Sequence, residues 1–331
     1  MKRYLGAAVP VLLAALFAPL LAFAQATSTS SGQAYPVKPV RVMIPWPPGG
    51  SNDIVGRIVF QKVSEQTGQQ FVIENRGGAA GTIGSELVAK SPPDGYTVMV
   101  QSATHVANPH LYKKLPYDTL KDFIGLTPLA VQVGILIVHP SLPARNVKEL
   151  IALSKARPGE IVYGSSGNGS YVHLTMALFN AMTGTKMIHV PYKGGGPAAI
   201  AIGSGEVQAM IATIGAVMPQ LAQKRIRALG VTSETRNKQF PDVPTLAEAG
   251  VPGYEFTAWI GCFLPAGTPR PIVDRLSAEV RKALDHPEAA RILSSQTLDP
   301  WFMTPEQFAR RLKSDYDKYE KVIRITGATI D

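Results

Sequence analysis

The chain has 331 residues, a formal charge of +9 and a single cysteine, Cys262. One thiol excludes any internal disulfide, so stability must come from burial, which a chain of this length supplies in two domains. The basic residues fall in short pairs such as Lys224-Arg225 and Arg310-Arg311. Without a basic stripe interleaved with stacking aromatics, nucleic acid is excluded as a partner.

Met1-Lys2-Arg3, an apolar run from Leu5 to Phe23, and Ala22-Phe23-Ala24 before Gln25 spell a secretory signal peptide over 1–24. Lys2 and Arg3 lie in that leader, so the mature chain carries two positive charges fewer, +7. No later segment is apolar for long enough to span a bilayer, which predicts an exported, soluble protein. Residues 25–34 are Ser/Thr-rich and read as a disordered linker.

From Tyr35 onward strand and helix alternate. Val40–Ile44 reads as a buried strand and Asp53–Gly68 as a helix with Ile54, Ile58, Val59 and Val63 on one face. Between them lies Pro45-Trp46-Pro47-Pro48-Gly49-Gly50-Ser51-Asn52-Asp53, where Ser51, Asn52 and Asp53 are all candidate N-caps. Glycines let backbone approach a ligand, and a helix start offers unpaired N–H groups at the positive dipole end. That combination suits an anion.

Phe71–Asn75, Thr82–Ala89 and Tyr96–Gln101 continue the strand, helix, strand order, the last ending at Ser102-Ala103-Thr104. Such order predicts a parallel α/β sheet. Phe123–Val131 and Gly134–Val138 are consecutive strands that would cross into a second lobe. Val147–Ala156 is a helix capped by Asn146. Ile161–Tyr163 enters Gly164-Ser165-Ser166-Gly167-Asn168-Gly169-Ser170, followed by a helix over Tyr171–Thr183. Met187–Val190 leads to Pro191-Tyr192-Lys193-Gly194-Gly195-Gly196 and a helix begun by Pro197. Val207–Thr213 and Arg227–Thr232 are further strands, and Phe256–Leu264 is a return strand into the first lobe. Pro271–Leu284 and Thr304–Ile323 are the last helices; Phe308, Leu312, Tyr316, Tyr319 and Ile323 form a core stripe on the second.

The pattern of strand, Gly/Ser turn, helix therefore occurs three times. Ligands of open α/β sheets sit beyond the carboxyl ends of the strands. Two facing lobes would close these turns around an anion without any arginine. Other chemistry is missing. Gly164-Ser165-Ser166-Gly167-Asn168 is not the G-x-S-x-G of a hydrolase, although Ser165 or Ser166 remains the nucleophile of that alternative. Gly194, Gly196 and Ala199 match a dinucleotide fingerprint only weakly, with no acidic residue at the needed distance after them. The six histidines show no metal-ligand spacing, so neither metal nor cofactor is expected.

Several long motifs resemble one family: Pro45–Asp53, Ile73-Glu74-Asn75-Arg76-Gly77-Gly78-Ala79, Gly81-Thr82-Ile83-Gly84 and Pro93-Asp94-Gly95-Tyr96-Thr97. In the second half Gly167-Asn168-Gly169-Ser170 with His173-Leu174, His189-Val190-Pro191-Tyr192-Lys193-Gly194, and Pro241-Asp242-Val243-Pro244-Thr245 do the same. These are similar to the Bug receptors, periplasmic substrate-binding proteins of the tripartite tricarboxylate transporter (TctC-like) family. The resemblance spans Tyr35 to the C-terminus. It implies an α/β fold of two lobes, the periplasmic-binding-protein type II (Venus flytrap) architecture, with a hinge of crossing strands. Lobe 1 would be 35–137 plus 258–331, and lobe 2 138–257. It further implies a non-catalytic periplasmic receptor, a monomer, that hands a small organic carboxylate to membrane permease subunits or a sensor.

The resemblance places the ligand between Pro48, Gly49, Gly50, Ser51 and Asp53 on one side and Ser165, Ser166, Asn168, Gly169 and Ser170 on the other. Ser102 and Thr104 would line the first lobe, and Tyr192 and His173 the second. Asp53 is expected to cap its helix and orient waters or backbone rather than touch an anion. Thr213 stands where many relatives carry an acidic residue, and Ala177 where a glutamate is common. An uncharged Thr213 argues against an amino-acid ligand, and Trp46 offers a face to a flat one. The expected ligand is a simple aromatic or aliphatic mono- or dicarboxylate. A regulatory effector lobe of the transcription-factor kind shares this fold, but the leader and the lack of a helix-turn-helix speak against it.

Overall fold

The computed structural model describes residues 35–330; the leader and linker expected over 1–34 lie outside the described residues. The strands are β1 (Val40–Ile44), β2 (Phe71–Asn75), β3 (Thr97–Ser102), β4 (Phe123–Gln132), β5 (Gly134–Val138), β6 (Val162–Ser165), β7 (Ile188–Pro191), β8 (Ala209–Thr213), β9 (Arg227–Val231) and β10 (Ala258–Pro265). The helices are α1 (Ser51–Thr67), α2 (Thr82–Ala89), α3 (Thr104–Leu111), α4 (Val147–Ala156), α5 (Tyr171–Thr183), α6 (Gly195–Ser204), α7 (Ile214–Ala222), α8 (Arg270–Asp285), α9 (Pro287–Ser295) and α10 (Pro305–Thr326).

Two five-stranded sheets form, ordered β2-β1-β3-β10-β4 and β7-β6-β8-β5-β9. Each has a parallel core and one antiparallel strand delivered by a crossing. β10 runs against β3 and β4, with Ile260 opposite Ser102, and β5 runs against β8 and β9, with Gly134 opposite Thr213. The consecutive strands do change sheets, but β5 is already in the second one. The crossing therefore falls at Val133, ahead of the boundary expected after residue 137.

The strands are apolar because both faces are covered. β3, β5, β8 and β10 are buried along their whole length. α1 lays Val55, Val59, Phe60 and Val63 on the first sheet, and Gly56 permits the contact: a Cβ there would stand 2.7 Å from Ile44. α10 rests on β4 and β10, where Gly125 and Gly261 admit the Phe308 ring. It also packs on α3 and α5 and so ties the two halves together. Trp259 Nε1 donates to the buried Asp315 carboxylate at 2.7 Å beneath it. Of the expected α10 stripe, Phe308, Leu312, Tyr319 and Ile323 are buried, while Tyr316 is half-buried. Cys262 is fully buried, and burial pushes its thiol pKa up, which leaves it inert.

Three differences from the expected elements bear on the site. α1 begins at Ser51, with Gly50 as an N-cap that makes no side-chain cap bond, so neither Ser51, Asn52 nor Asp53 is the N-cap. α6 begins at Gly195, placing Pro197 in its first turn rather than at its first position. α3 and α7 were not anticipated, each carrying an internal proline, Pro109 and Pro219.

Candidate ligand-binding site

Five helices point their N-termini at one cavity between the sheets. Its wall is Trp46, Pro47, Gly50, Ser51 and Asn52 at the head of α1, Ser102 and Thr104 at α3, and Gln132 at the end of β4. The second half contributes Ser166, then Ser170, Tyr171 and Val172 at α5, Gly194 and Gly195 at α6, and Thr213 and Ala216 at α7. The cavity holds about 50 Å³, room for a few water molecules or a compact ligand in a closed cleft. Among the described residues no charged side chain lines it.

Local structure explains why so many N–H groups face inward. The first N–H groups of a helix have no intrahelical partner. Gly50 and Gly194 are N-caps without side chains, so α1 and α6 start uncapped, and Thr213, the N-cap of α7, makes no cap bond either. The Thr213 hydroxyl instead accepts from Ser51 Oγ at 3.1 Å, a bond that joins the two halves across the cavity. Gly194 has φ of +111°, and a Cβ there would meet Pro47 of the other half at 3.3 Å. The positive φ calls for glycine, and the close approach of Pro47 adds to the preference.

The turn before α1 is held from beneath by Asp53. Its carboxylate accepts from Gly49 N–H, from Arg57 Nε and from Asn75 Nδ2, each at 3.0 Å. Asn75 also donates to the Trp46 carbonyl at 3.0 Å. Burial alone would raise the Asp53 pKa, but the bonds from Arg57, Gly49 and Asn75 bring it below its ordinary value. Asp53 is thus a brace of the turn's backbone rather than the expected helix cap, and it contributes no wall to the cavity. Gly49 is spent on the same brace. Trp46 Nε1 donates to Gln101, which fixes the indole at the rim.

The loop between β6 and α5 is held differently. Ser170 caps α5 by accepting from His173 N–H at 3.2 Å. Gly169 N–H donates to His173 Nδ1 at 3.1 Å, and Ser165 Oγ pairs with His189 Nε2 at 2.6 Å. The two imidazoles stack with centroids 4.0 Å apart. Burial drives the His173 pKa down to about 4, and burial with the neighbouring His173 drives His189 down to about 3. Both rings are neutral at neutral pH.

This arrangement corrects part of the expected site. Ser165, Gly169 and His173 do not reach the cavity; they brace the loop from behind, where Ala177 lies as well. Pro48, Asn168 and Tyr192 line a second hollow of about 640 Å³ that shares Trp46, Pro47, Ser166 and Gly194 with the cavity, and Lys193 is its one charged lining residue. The Tyr192 hydroxyl is committed to Glu206 at 2.7 Å. Trp46, Gly50, Ser51, Ser102, Thr104, Ser166, Ser170 and Thr213 line the cavity. Asn52, Gln132, Gly194, Gly195 and Ala216 were missed as wall residues; glycines ahead of a helix were the one available signal, for α6. The Ser165–His189 pair resembles half of a hydrolytic triad, but Ser165 is fully buried and its hydroxyl also bonds within the loop to Gly167.

Among the described residues no helix is long and apolar enough to cross a membrane, and no three of His, Cys, Asp or Glu cluster as metal ligands. The model for the tripartite tricarboxylate transporter family receptor matches residues 55–328. The chain belongs to that family. It is 32% identical to BugT of Bordetella pertussis over 96% of this chain and 98% of the relative. Two solved structures are close in fold. The R. palustris protein Rpa4515 with adipate is 36% identical, with a TM-score of 0.86 over 89% of this chain and all of that one. MatC from Rhodopseudomonas palustris with bound malate is 31% identical, with a TM-score of 0.81 over 87% of this chain and all of that one. The two-lobed α/β architecture is thus that of this family's receptors.

Proposed function

We propose that this receptor is exported to the periplasm, closes as a monomer over one small organic carboxylate, and delivers it to the membrane subunits of a tripartite tricarboxylate-type transporter or to a sensor. The observation that carries this reading is the convergence of five helix N-termini on a cavity with no charged side chain. Each dipole end contributes roughly 0.3–1 kcal/mol to an anion. Each charge-assisted N–H bond contributes roughly 1.5–3 kcal/mol. Three such bonds with the five dipoles reach the roughly 8 kcal/mol of a micromolar complex. Adipate and malate in the two neighbours are carboxylates. An amino acid fits poorly, because no carboxylate lines the cavity to meet its ammonium group. The site binds without turnover on this reading, since Ser165, the one loop serine paired with a histidine ring, is buried and committed within its loop.

Thermal-shift screening of a carboxylate library tests it. An acid at about 100 times its Kd adds roughly 2.7 kcal/mol of stability. A library in which no organic acid raises the melting temperature contradicts the reading.

A further inference from the structure

Two carboxamides on the cavity wall have no hydrogen-bond partner. Asn52, the second residue of α1, is 8% exposed, and Gln132, the last residue of β4, is 4% exposed. Both line the cavity, and Asn52 Oδ1 and Gln132 Oε1 are each buried with no partner among the described residues. Of the other polar wall groups, Ser51 is paired with Thr213, Ser102 with Thr104 and Ser170 with the His173 N–H, while Ser166 makes no side-chain bond but is only half-buried and so can be satisfied by solvent. Buried polar groups are ordinarily satisfied, and one left unpaired costs free energy. Two on the same wall call for a guest that satisfies them.

We infer that Asn52 and Gln132 form a second polar subsite that reads a hydroxyl group on the ligand. This rests on the carboxylate reading above and narrows it to hydroxycarboxylates. The unpaired atoms are acceptors, so the guest must bring a donor. A second carboxylate brings only acceptors, so it leaves both oxygens unpaired as they stand and meets these carboxamides only when they turn their N–H groups inward. An ammonium brings donors but no counter-charge. A hydroxyl donates to a carboxamide oxygen and accepts from a carboxamide N–H, so it meets either orientation of each amide. Gln132 comes from the crossing between the halves and Asn52 from the head of α1. The hydroxyl therefore sits on the first-half side, while the carboxylate meets the helix ends.

Calorimetry on matched acids tests this: propanoate against lactate, butanoate against β-hydroxybutanoate, benzoate against meta-hydroxybenzoate. In the wild type at least one hydroxylated acid binds about 10-fold more tightly than its parent, equivalent to about 1.4 kcal/mol. In Gln132→Met and in Asn52→Ala that ratio falls below about 3. Parents and hydroxylated acids binding alike in the wild type overturns the subsite while leaving the carboxylate reading intact. So does a preference that survives in both variants. A protein that binds none of the six overturns the subsite, and the carboxylate reading falls with it only if no acid of the wider library binds either.

Discussion

The two turns that face each other across the cavity do the same work with different chemistry. The first-half turn is held by a carboxylate, Asp53, that gathers Gly49, Arg57 and Asn75. The second-half loop is held by two neutral imidazoles, His173 and His189. In both, the bracing group stands behind the backbone and leaves the N–H groups at the helix mouth for a guest. The difference teaches that an anion site built on peptide groups needs rigid backing, and that the backing can differ in charge so long as it stays off the wall.

The comparison breaks most sharply at Asp53. Asp53→Ala removes a buried carboxylate with three donors at once, and stability should fall by about 3 kcal/mol, with affinity for carboxylates falling too. Thermal denaturation and calorimetry of the variant check both. Arg57, half of whose side chain is exposed, should matter far less.

Acid separates the two turns. The histidines take up protons near pH 6.5 when unfolded but only near 4 and 3 when folded. Between those values the unfolded chain binds more protons, so stability falls as pH drops from about 6.5 toward 4. Asp53 runs on a lower window: its folded pKa lies below 3.8, and its contribution is lost only as pH falls through that region. Lowering pH from 7 to 5 should therefore weaken the second-half loop first, by about 1 kcal/mol once partial exposure is discounted. In His189→Gln the loss between those two pH values should shrink. Melting curves at both pH values decide it.

The smallest effect is expected where the turns meet. Thr213→Val deletes the bond from Ser51 and leaves both braces intact. It should cost under about 1 kcal/mol and shift the unliganded protein toward an open cleft. Small-angle scattering would show a larger radius of gyration without ligand and the wild-type value with it.

Much of this was legible in the sequence, and the reason is local. An apolar run followed by Gly/Ser and an apolar helix is a pattern that needs no tertiary information, so the turns at residues 49–51, 165–170 and 194–197 could be read from it, and Gly50, Ser51, Ser166, Ser170, Gly194 and Gly195 among them line one cavity. The resemblance carried the two-lobe topology. What was illegible depends on facing partners. Ser165 and His173 sit in the right loop, but only the packing of His189 against them shows that they turn inward. Gln132 reads as an ordinary polar strand end until the closed cleft buries it. α7 starts directly off β8 and contains Pro219, so its N-terminus at Thr213 had no sequence marker of its own.

The central claim is that peptide N–H groups, with no cationic side chain, hold the ligand's charge. Calorimetry at pH 7 with the tightest-binding acid of the panel, its primary amide, and the Lys193→Met variant tests it most directly. The account predicts that the amide binds about 100-fold more weakly, because it forfeits the charge-assisted bonds, and that Lys193→Met binds the acid within about 3-fold of wild type. An amide that binds as well as its acid, or a Lys193→Met protein that no longer binds, would contradict it.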